Sequence, residues 1–220
     1  MSKHLQREFD QLKKDILSLG AVVEETVYQS VKSISTRDSR LAEKIINGDP
    51  AIDQREVEIE EECLKILALH QPVAIDLRFI VAVMKMNSDL ERIADLAVNI
   101  AERTVSLAKI PPLTPTLDFV GMAEKVQAML RTSLDALVQM DSARARRVME
   151  GDDEVDEIHR GMYTIVEKAI LEHPQEINGL IQMLAVSRYL ERIADHTTNI
   201  AEDVIYLVEG EIVRHRAEHV

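Results

Sequence analysis

Tryptophan is missing from this chain, and aromatic residues of any kind are scarce: three Phe and four Tyr in 220 residues. Glycine and proline are also sparse, at seven and six. Such a composition, rich in Leu, Ile, Ala, Glu and Arg, leaves little material for strands and tight hairpins and specifies an all-helical protein. One cysteine, Cys63, rules out an internal disulfide; it falls among helix-period apolar residues and reads as a buried thiol in a reducing compartment. No long apolar run exists either. The longest, Phe79 to Met84, is far too short to cross a bilayer, and the charged start from Met1 to Asp10 lacks the apolar segment of a secretory leader. A soluble, cytoplasmic protein is expected. Basic charge is the last shortage: 26 Lys and Arg against 39 Asp and Glu give a net charge of −13. That balance excludes nucleic acid and anionic membrane surfaces, which need a cationic face, and favours cations or basic protein surfaces as partners.

What is present is helical periodicity. Leu5, Phe9, Leu12, Ile16, Leu19, Val23, Val27, Val31 and Ile34 recur at steps of three and four, which predicts a long helix buried along one side. Thr36 suits its stop and Asp38 an N-cap, after which Leu41, Ile45 and Ile46 start a second helix. Asn47-Gly48-Asp49-Pro50 is expected to break or kink that helix, with Asp49 capping a restart at Pro50. The restart carries Ile52, Ile59, Cys63 and Ile66 to about His70, Gln71-Pro72 turns the chain, and a third helix runs to Leu107. The cluster from Lys109 to Pro115 reads as a linker. Three more helices follow, with Asp141-Ser142 repeating Asp38-Ser39, Gly151-Asp152 repeating Gly48-Asp49, and His173-Pro174 answering the turn at Pro72. The division expected is a first unit at 1–110, a Pro-rich linker at 111–115, a second unit at 116–210 and a polar tail at 211–220. Short connections between long helices make neighbours antiparallel, so the fold class is all-α: two tandem antiparallel three-helix bundles related by internal duplication.

The duplication is sharpest in the third and sixth helices. Leu90-Glu91-Arg92-Ile93-Ala94-Asp95 with Asn99-Ile100-Ala101-Glu102 returns at Leu190 to Glu202, and 11 of 18 positions from Leu90 match those 100 residues later. Chance would supply about one. At about 100° per residue, Glu91, Asp95, Asn99 and Glu102 share an arc of roughly 80°, opposite Ile93, Ala97 and Ile100. All four recur as Glu191, Asp195, Asn199 and Glu202, while the flanking Leu96, Ala97 and Val98 become His196, Thr197 and Thr198.

The turn at Pro72 serves as a ruler, because residues equidistant from the turn of a helical hairpin lie side by side. Asp49 and Asp53 centre 21 positions before it, and Glu91 and Asp95 centre 21 after. In the second unit Asp152 and Asp156 centre 20 positions before Pro174, and Glu191 and Asp195 centre 19 after. Four carboxylates gathered on two helices repel unless they protonate or bind a cation. Oxygen ligands without thiolate favour Fe(III), Mn(II), Mg(II) or Ca(II), with Asn99, Asn199 and His196 available to add or orient ligands. The plainer alternative is a solvated acidic face paired with Arg92, Arg192 or nearby lysines. Glu56 and Glu60 extend the first set, but their counterparts are His159 and Tyr163, so the two sets need not be equal. A ferritin-like reading expects Glu-x-x-His on two core helices, whereas the nearest match, Asp156 with His159, occurs once and the acidic stripe faces away from the core. His215 and His219, four apart on the charged tail, read as solvated.

The doubled Leu-Glu-Arg-Ile-Ala-Asp with Asn-Ile-Ala-Glu, preceded in the first unit by Gln71-Pro72-Val73-Ala74-Ile75-Asp76-Leu77-Arg78, resembles the PhoU family along essentially the whole chain. The resemblance implies a cytosolic, often dimeric, non-enzymatic regulator that acts with the ATPase subunit of the phosphate ABC transporter and the phosphate-response sensor histidine kinase, reaching the membrane only through partners. It implies metal ligands at Asp49, Asp53, Glu91, Asp95, Asp152, Asp156, Glu191 and Asp195, holding multinuclear iron or another metal in some members and none in others. Metal storage in a helical bundle, with no phosphate role, is the alternative function. Ala94 and Ala194 stand where many relatives have Gly, and the Gln-Pro segment has no second copy. For Asp76 a cap at the helix start is the expectation; Asp76 and Arg78 are otherwise open to a partner.

Overall fold

A computed structural model describes residues 3–213 of the chain. Six long helices account for nearly all of them: α1 (Lys3–Thr36), α2 (Ser39–His70), α3 (Ile75–Leu107), α4 (Phe119–Gln139), α5 (Ser142–Glu172) and α6 (Ile177–Glu209). His215 and His219, with the rest of 214–220, lie outside the described residues.

The periodic residues of α1 are all buried, from Leu5 to Ile34, and so are Phe119, Ala123, Val126, Leu130, Leu134 and Leu137 of α4. Burying an apolar stripe of this length, at roughly 1.5–3 kcal/mol per large side chain, is what makes the helices persist. The first turn of each unit, between α1 and α2 and between α4 and α5, is built in the same way. Arg37 and Met140 take left-handed backbone conformations, with φ of 56° and 52°, and Asp38 and Asp141 follow as N-caps. The Asp38 carboxylate accepts from the amides of Arg40 and Leu41 at 3.0 and 3.1 Å, and Asp141 accepts from Arg144 at 2.9 Å. Arg37 adds a tie the second copy lacks: its guanidinium donates to the carbonyls of Leu107 and Ile110 at the end of α3.

One local expectation is overturned. The Asn47-Gly48-Asp49-Pro50 segment does not end a helix; α2 runs unbroken from Ser39 to His70 with Pro50 inside it, and Asp49 is an interior residue rather than a cap. An interior proline costs about 3 kcal/mol through a lost hydrogen bond and a clash with the preceding turn. Ile45 and Ile52, buried on either side of it, pack both halves of α2 into the bundle and offset that cost. Asp76 is also not the cap of α3. Ala74 occupies that place in a strained conformation with φ 53°, no side chain caps it, and Asp76 sits in the first turn, where its charge complements the helix dipole. Arg78 reaches the far end of α6, where its guanidinium lies directly over Gly210.

The three-residue shortening of the second unit resolves into two places. α5 has 31 residues where α2 has 32, and α6 starts two residues later than α3 in the repeat alignment, after a single 3-10 turn at Pro174–Glu176. The acidic stripes therefore keep their register. The halves are not separate cores: one apolar cluster runs through residues of all six helices, and α3 packs along α6 at its centre. Gly20 explains part of the approach of α1 to α4, since a Cβ there would stand 2.7 Å from a methyl of Leu134.

Candidate functional site

Each acidic pair occupies the outer face of a hairpin, α2 with α3 in the first unit and α5 with α6 in the second. Ile93 and Ile100, and Ile193 and Ile200, are fully buried on the opposite side of α3 and α6, which fixes the rotation of each helix and turns Glu91, Asp95, Glu191 and Asp195 outward. Asp49, Glu91, Asp95, Asn99, Asp152, Asp156, Glu191 and Asn199 are half-buried, while Asp53 and Asp195 are exposed.

The pairs on facing helices feel one another. The Asp49 carboxyl is raised above the ordinary range, first by burial and then by the charges of Asp53 and, across the hairpin, Asp95. Glu91 is raised by burial and by Asp95, with Asp53 and Glu56 of α2 adding to it against the opposing Arg92. In the second unit Asp152 is pushed up to about 6 by burial and by Asp195, Asp156, Asp153 and Glu191. Glu191 is raised by burial and Asp195, and Asp195 by burial and Asp156. The hairpin register thus brings both sets of four together. Among the described residues no three of these carboxylates bring oxygens within 4.8 Å of one another.

Arginines are at hand, as the solvated-face alternative supposes. Arg92 contacts Glu91 and Asp95 at 3.3 Å each, and Arg188 contacts Glu191 at 3.1 Å. With the arginine of each pair exposed to solvent, screening keeps such contacts to about 0–1 kcal/mol. Their insufficiency is visible in the sign: with the arginines in place, Glu91, Glu191 and Asp195 still have raised pKa values, so burial and repulsion outweigh the cations. A second observation points the same way. Asp49 Oδ1 and Glu191 Oε2, one oxygen in each set, are buried with no hydrogen-bond partner. Desolvated carboxylate oxygens beside like charges suit a hard cation, and the donor set fits the oxygen-ligated metal expected there.

The flanks of the two sites differ through paired changes. In the first, Asn87 of α3 donates to the Glu56 carbonyl at 2.8 Å and to its carboxylate at 3.1 Å. In the second, the residues at the same repeat positions are Ser187 and His159, and they bond to each other at 2.9 Å. Burial and the Arg188 charge lower the His159 pKa against the opposing charge of Asp156. The substitution of Glu56 by His159, legible in the sequence, therefore has a partner that was not. Asn199 and His196 have a further role the spacing did not reveal: they hold Asp89 across the α3–α6 seam, at 3.2 and 2.8 Å. Asp89 becomes Tyr189, and His196 becomes Leu96, at the positions related by duplication, so the seam is polar on one side and apolar on the other. Cys63 is fully buried, as expected, and burial is the main cause that pushes its thiol up to about 12.

Comparison with known proteins places this geometry. The family model described as the PhoU domain matches the chain twice, over residues 16–104 and 119–204. A phosphate-specific transport system accessory protein PhoU homolog from Aquifex aeolicus is 40% identical over 96% of each chain, and one from Clostridium acetobutylicum is 34% identical over 96% of this chain and 97% of the relative. The crystal structure of PhoU from Pseudomonas aeruginosa superimposes with a TM-score of 0.90 at 35% identity, covering 94% of this chain and 99% of that one. That of the phosphate transport system regulatory protein PhoU from Streptococcus pneumoniae gives 0.85 at 30% identity, over 95% and 99%. With both halves matched, six helices superimposed and the relation extending over almost the full length, the chain belongs to the PhoU family.

Proposed function

We propose that this protein is a non-enzymatic negative regulator of phosphate uptake and phosphate-starvation signalling. The observation that carries the reading is its relation, over nearly its whole length, to proteins named as accessory to the phosphate-specific transport system. It acts as an adaptor in the cytoplasm between the ATPase subunit of the phosphate ABC transporter and the sensor histidine kinase of the phosphate response, as a homodimer. A surface of net charge −13 supports docking on basic protein faces rather than on lipid. None of the six helices is long and apolar enough to cross a membrane, consistent with attachment through partners alone.

The two carboxylate sets form metal sites in this reading: Asp49, Asp53, Glu91 and Asp95 in the unit at 1–110, and Asp152, Asp156, Glu191 and Asp195 in the unit at 116–210. Asn99 is available to the first; Asn199 contributes to the second through its carbonyl oxygen, since its amide nitrogen serves Asp89. The orphaned oxygens of Asp49 and Glu191 support this assignment. Iron, manganese or another hard ion relieves the repulsion that the raised carboxyls express.

The test is deletion of the gene and restoration, at high phosphate, with wild-type protein or with Glu91, Asp95, Glu191 and Asp195 all changed to Ala. Starvation genes come on in the deletion and fall silent with the wild type. If they stay silent in the deletion, the regulatory reading fails. If the quadruple variant restores repression in full and carries as much metal as wild type, the metal assignment fails.

A further inference from the structure

At the opposite end of α2 from Asp49 lies a cluster that the carboxylate sites do not involve. His4 and Glu8 stand one turn apart on the first turns of α1, and His70 is the last residue of α2. Glu8 sits between the two imidazoles: His4 Nε2 is 3.3 Å from one carboxylate oxygen and His70 Nε2 is 2.6 Å from the other. One ligand atom from each of the three residues falls within 4.8 Å of the other two, the sole such group of three among the described residues. The His4 and His70 rings are edge to face, with centroids 5.9 Å apart. Glu8 Oε2 and His70 Nε2 are buried, and neither engages in a hydrogen bond despite their short separation. A buried imidazole nitrogen and a buried carboxylate oxygen thus stand in ion-pair contact without a well-formed hydrogen bond, and a third donor beside them is on an exposed side chain.

We propose that His4, Glu8 and His70 form a binding site for a divalent transition ion of the zinc class, distinct from the carboxylate sites. Two imidazoles and one carboxylate are a donor set that zinc, cobalt and nickel take in preference to magnesium or calcium, with water completing the coordination. Zinc–ligand distances of about 2.0–2.2 Å set tetrahedral donors roughly 3.4 Å apart, so Glu8 and His70, now 2.6 Å from each other, open slightly to admit the ion while the His4 imidazole closes on it. His4 allows this, because its side chain is 75% exposed at the start of α1. Lys65 also feels the Glu8 charge, but its ammonium is paired with Glu62 at 3.0 Å.

The distance along α2 from Asp53 to His70 is 17 residues, or about 25 Å, too far for the ion to be shared with the carboxylates. The site also belongs to one unit only. α1 has 34 residues and α4 has 21, so at the repeat offset the positions of His4 and Glu8 fall at the end of α3 and in the linker, and His173 has no equivalent helix turn beside it. The bound ion would clasp the start of α1 to the hairpin tip, next to the strained turn at Gln71 to Ala74.

Untagged full-length protein, stripped with chelator, is titrated with Zn(II) by calorimetry and with Co(II) by visible absorption. The expected result is one Zn(II) equivalent that weakens by roughly tenfold or more in His70→Ala and in His4→Ala. It stays in the Glu91, Asp95, Glu191 and Asp195 to Ala variant. Co(II) in that carboxylate variant gives the strong ligand-field bands of a low-coordinate nitrogen site. Since His4 is exposed on a terminal turn, its removal leaves the fold intact even if His70→Ala does not. Unchanged Zn(II) affinity and stoichiometry in His4→Ala and His70→Ala, or loss of all binding in the carboxylate variant, overturns the proposal. So does a Co(II) spectrum of six oxygen ligands alone, which leaves Glu8 and His70 as a plain ion pair.

Discussion

Asp152 offers the sharpest quantitative test of the carboxylate sites. Its carboxyl, ordinarily at 3.8, is pushed up to about 6 by burial and by Asp195, Asp156, Asp153 and Glu191. At about 1.4 kcal/mol per pH unit the gross cost of keeping it ionised at neutral pH is about 3 kcal/mol. Asp152 is only half-buried, and solvent screening brings the figure to about 1–2 kcal/mol. The sign follows from linkage. Between about 4 and 6 the folded protein binds a proton at this site that the unfolded chain has released, so stability falls as pH rises through that window, and the full penalty applies above it. In metal-free protein Asp152→Asn therefore raises stability at pH 7.5, and for a chain of this size the melting temperature rises by about 2–8 °C. At pH 4 the difference between variant and wild type shrinks to roughly a fifth of its full size. Adding Mn(II) or Fe(II) at neutral pH reverses the order, because the wild type gains stability by binding and the variant loses a ligand. Thermal unfolding of the two proteins at pH 4 and 7.5, with chelator and with metal, measures all of this. A variant no more stable than wild type in chelator at pH 7.5, or a gap undiminished at pH 4, would refute the argument that unrelieved repulsion sits at this site.

Gly210 holds φ of 75° and lies under the Arg78 guanidinium, so Gly210→Ala costs about 1–3 kcal/mol in unfolding experiments, and a second change of Arg78→Ala recovers the part due to the clash. Met140 spends a left-handed conformation on an exposed side chain, and Met140→Gly stabilises by up to about 1 kcal/mol; Arg37→Gly at the equivalent turn destabilises instead, because it loses the bonds to Leu107 and Ile110. Cys63 is buried with its thiol raised to about 12, so alkylating reagents leave it unmodified in native protein and label it on denaturation; labelling at equal rates in both states contradicts its burial.

Several features were legible before any coordinates. The 3.6-residue period placed the buried faces of α1 and α4 residue by residue, since a helix exposes or buries a whole stripe at once. The hairpin ruler, which needs only an antiparallel turn and a constant rise per residue, set Asp49 and Asp53 against Glu91 and Asp95, and the facing charges register that approach. The Asp38 and Asp141 caps were equally readable, because a capping carboxylate acts on amides two and three residues away. Where the local rule competed with packing, it lost: Pro50 reads as a helix start, yet the flanking Ile45 and Ile52 are buried and carry the helix through.

The sequence by itself determined the repeat, the all-helical class, the stripes and the register within each hairpin, all of which depend on spacings along one chain or about one turn. Tertiary structure alone decided what meets across unrelated segments. The seam of α3 with α6 pairs Asp89 with His196 and Asn199 more than 100 residues away, and the exchange of Glu56 with Asn87 for His159 with Ser187 needs two helices in contact before it makes sense. His4, Glu8 and His70 converge only because the extra length of α1 carries its first turn to the end of α2. Periodicity fixes which way a side chain faces, and only the packing of one helix on another fixes what it faces.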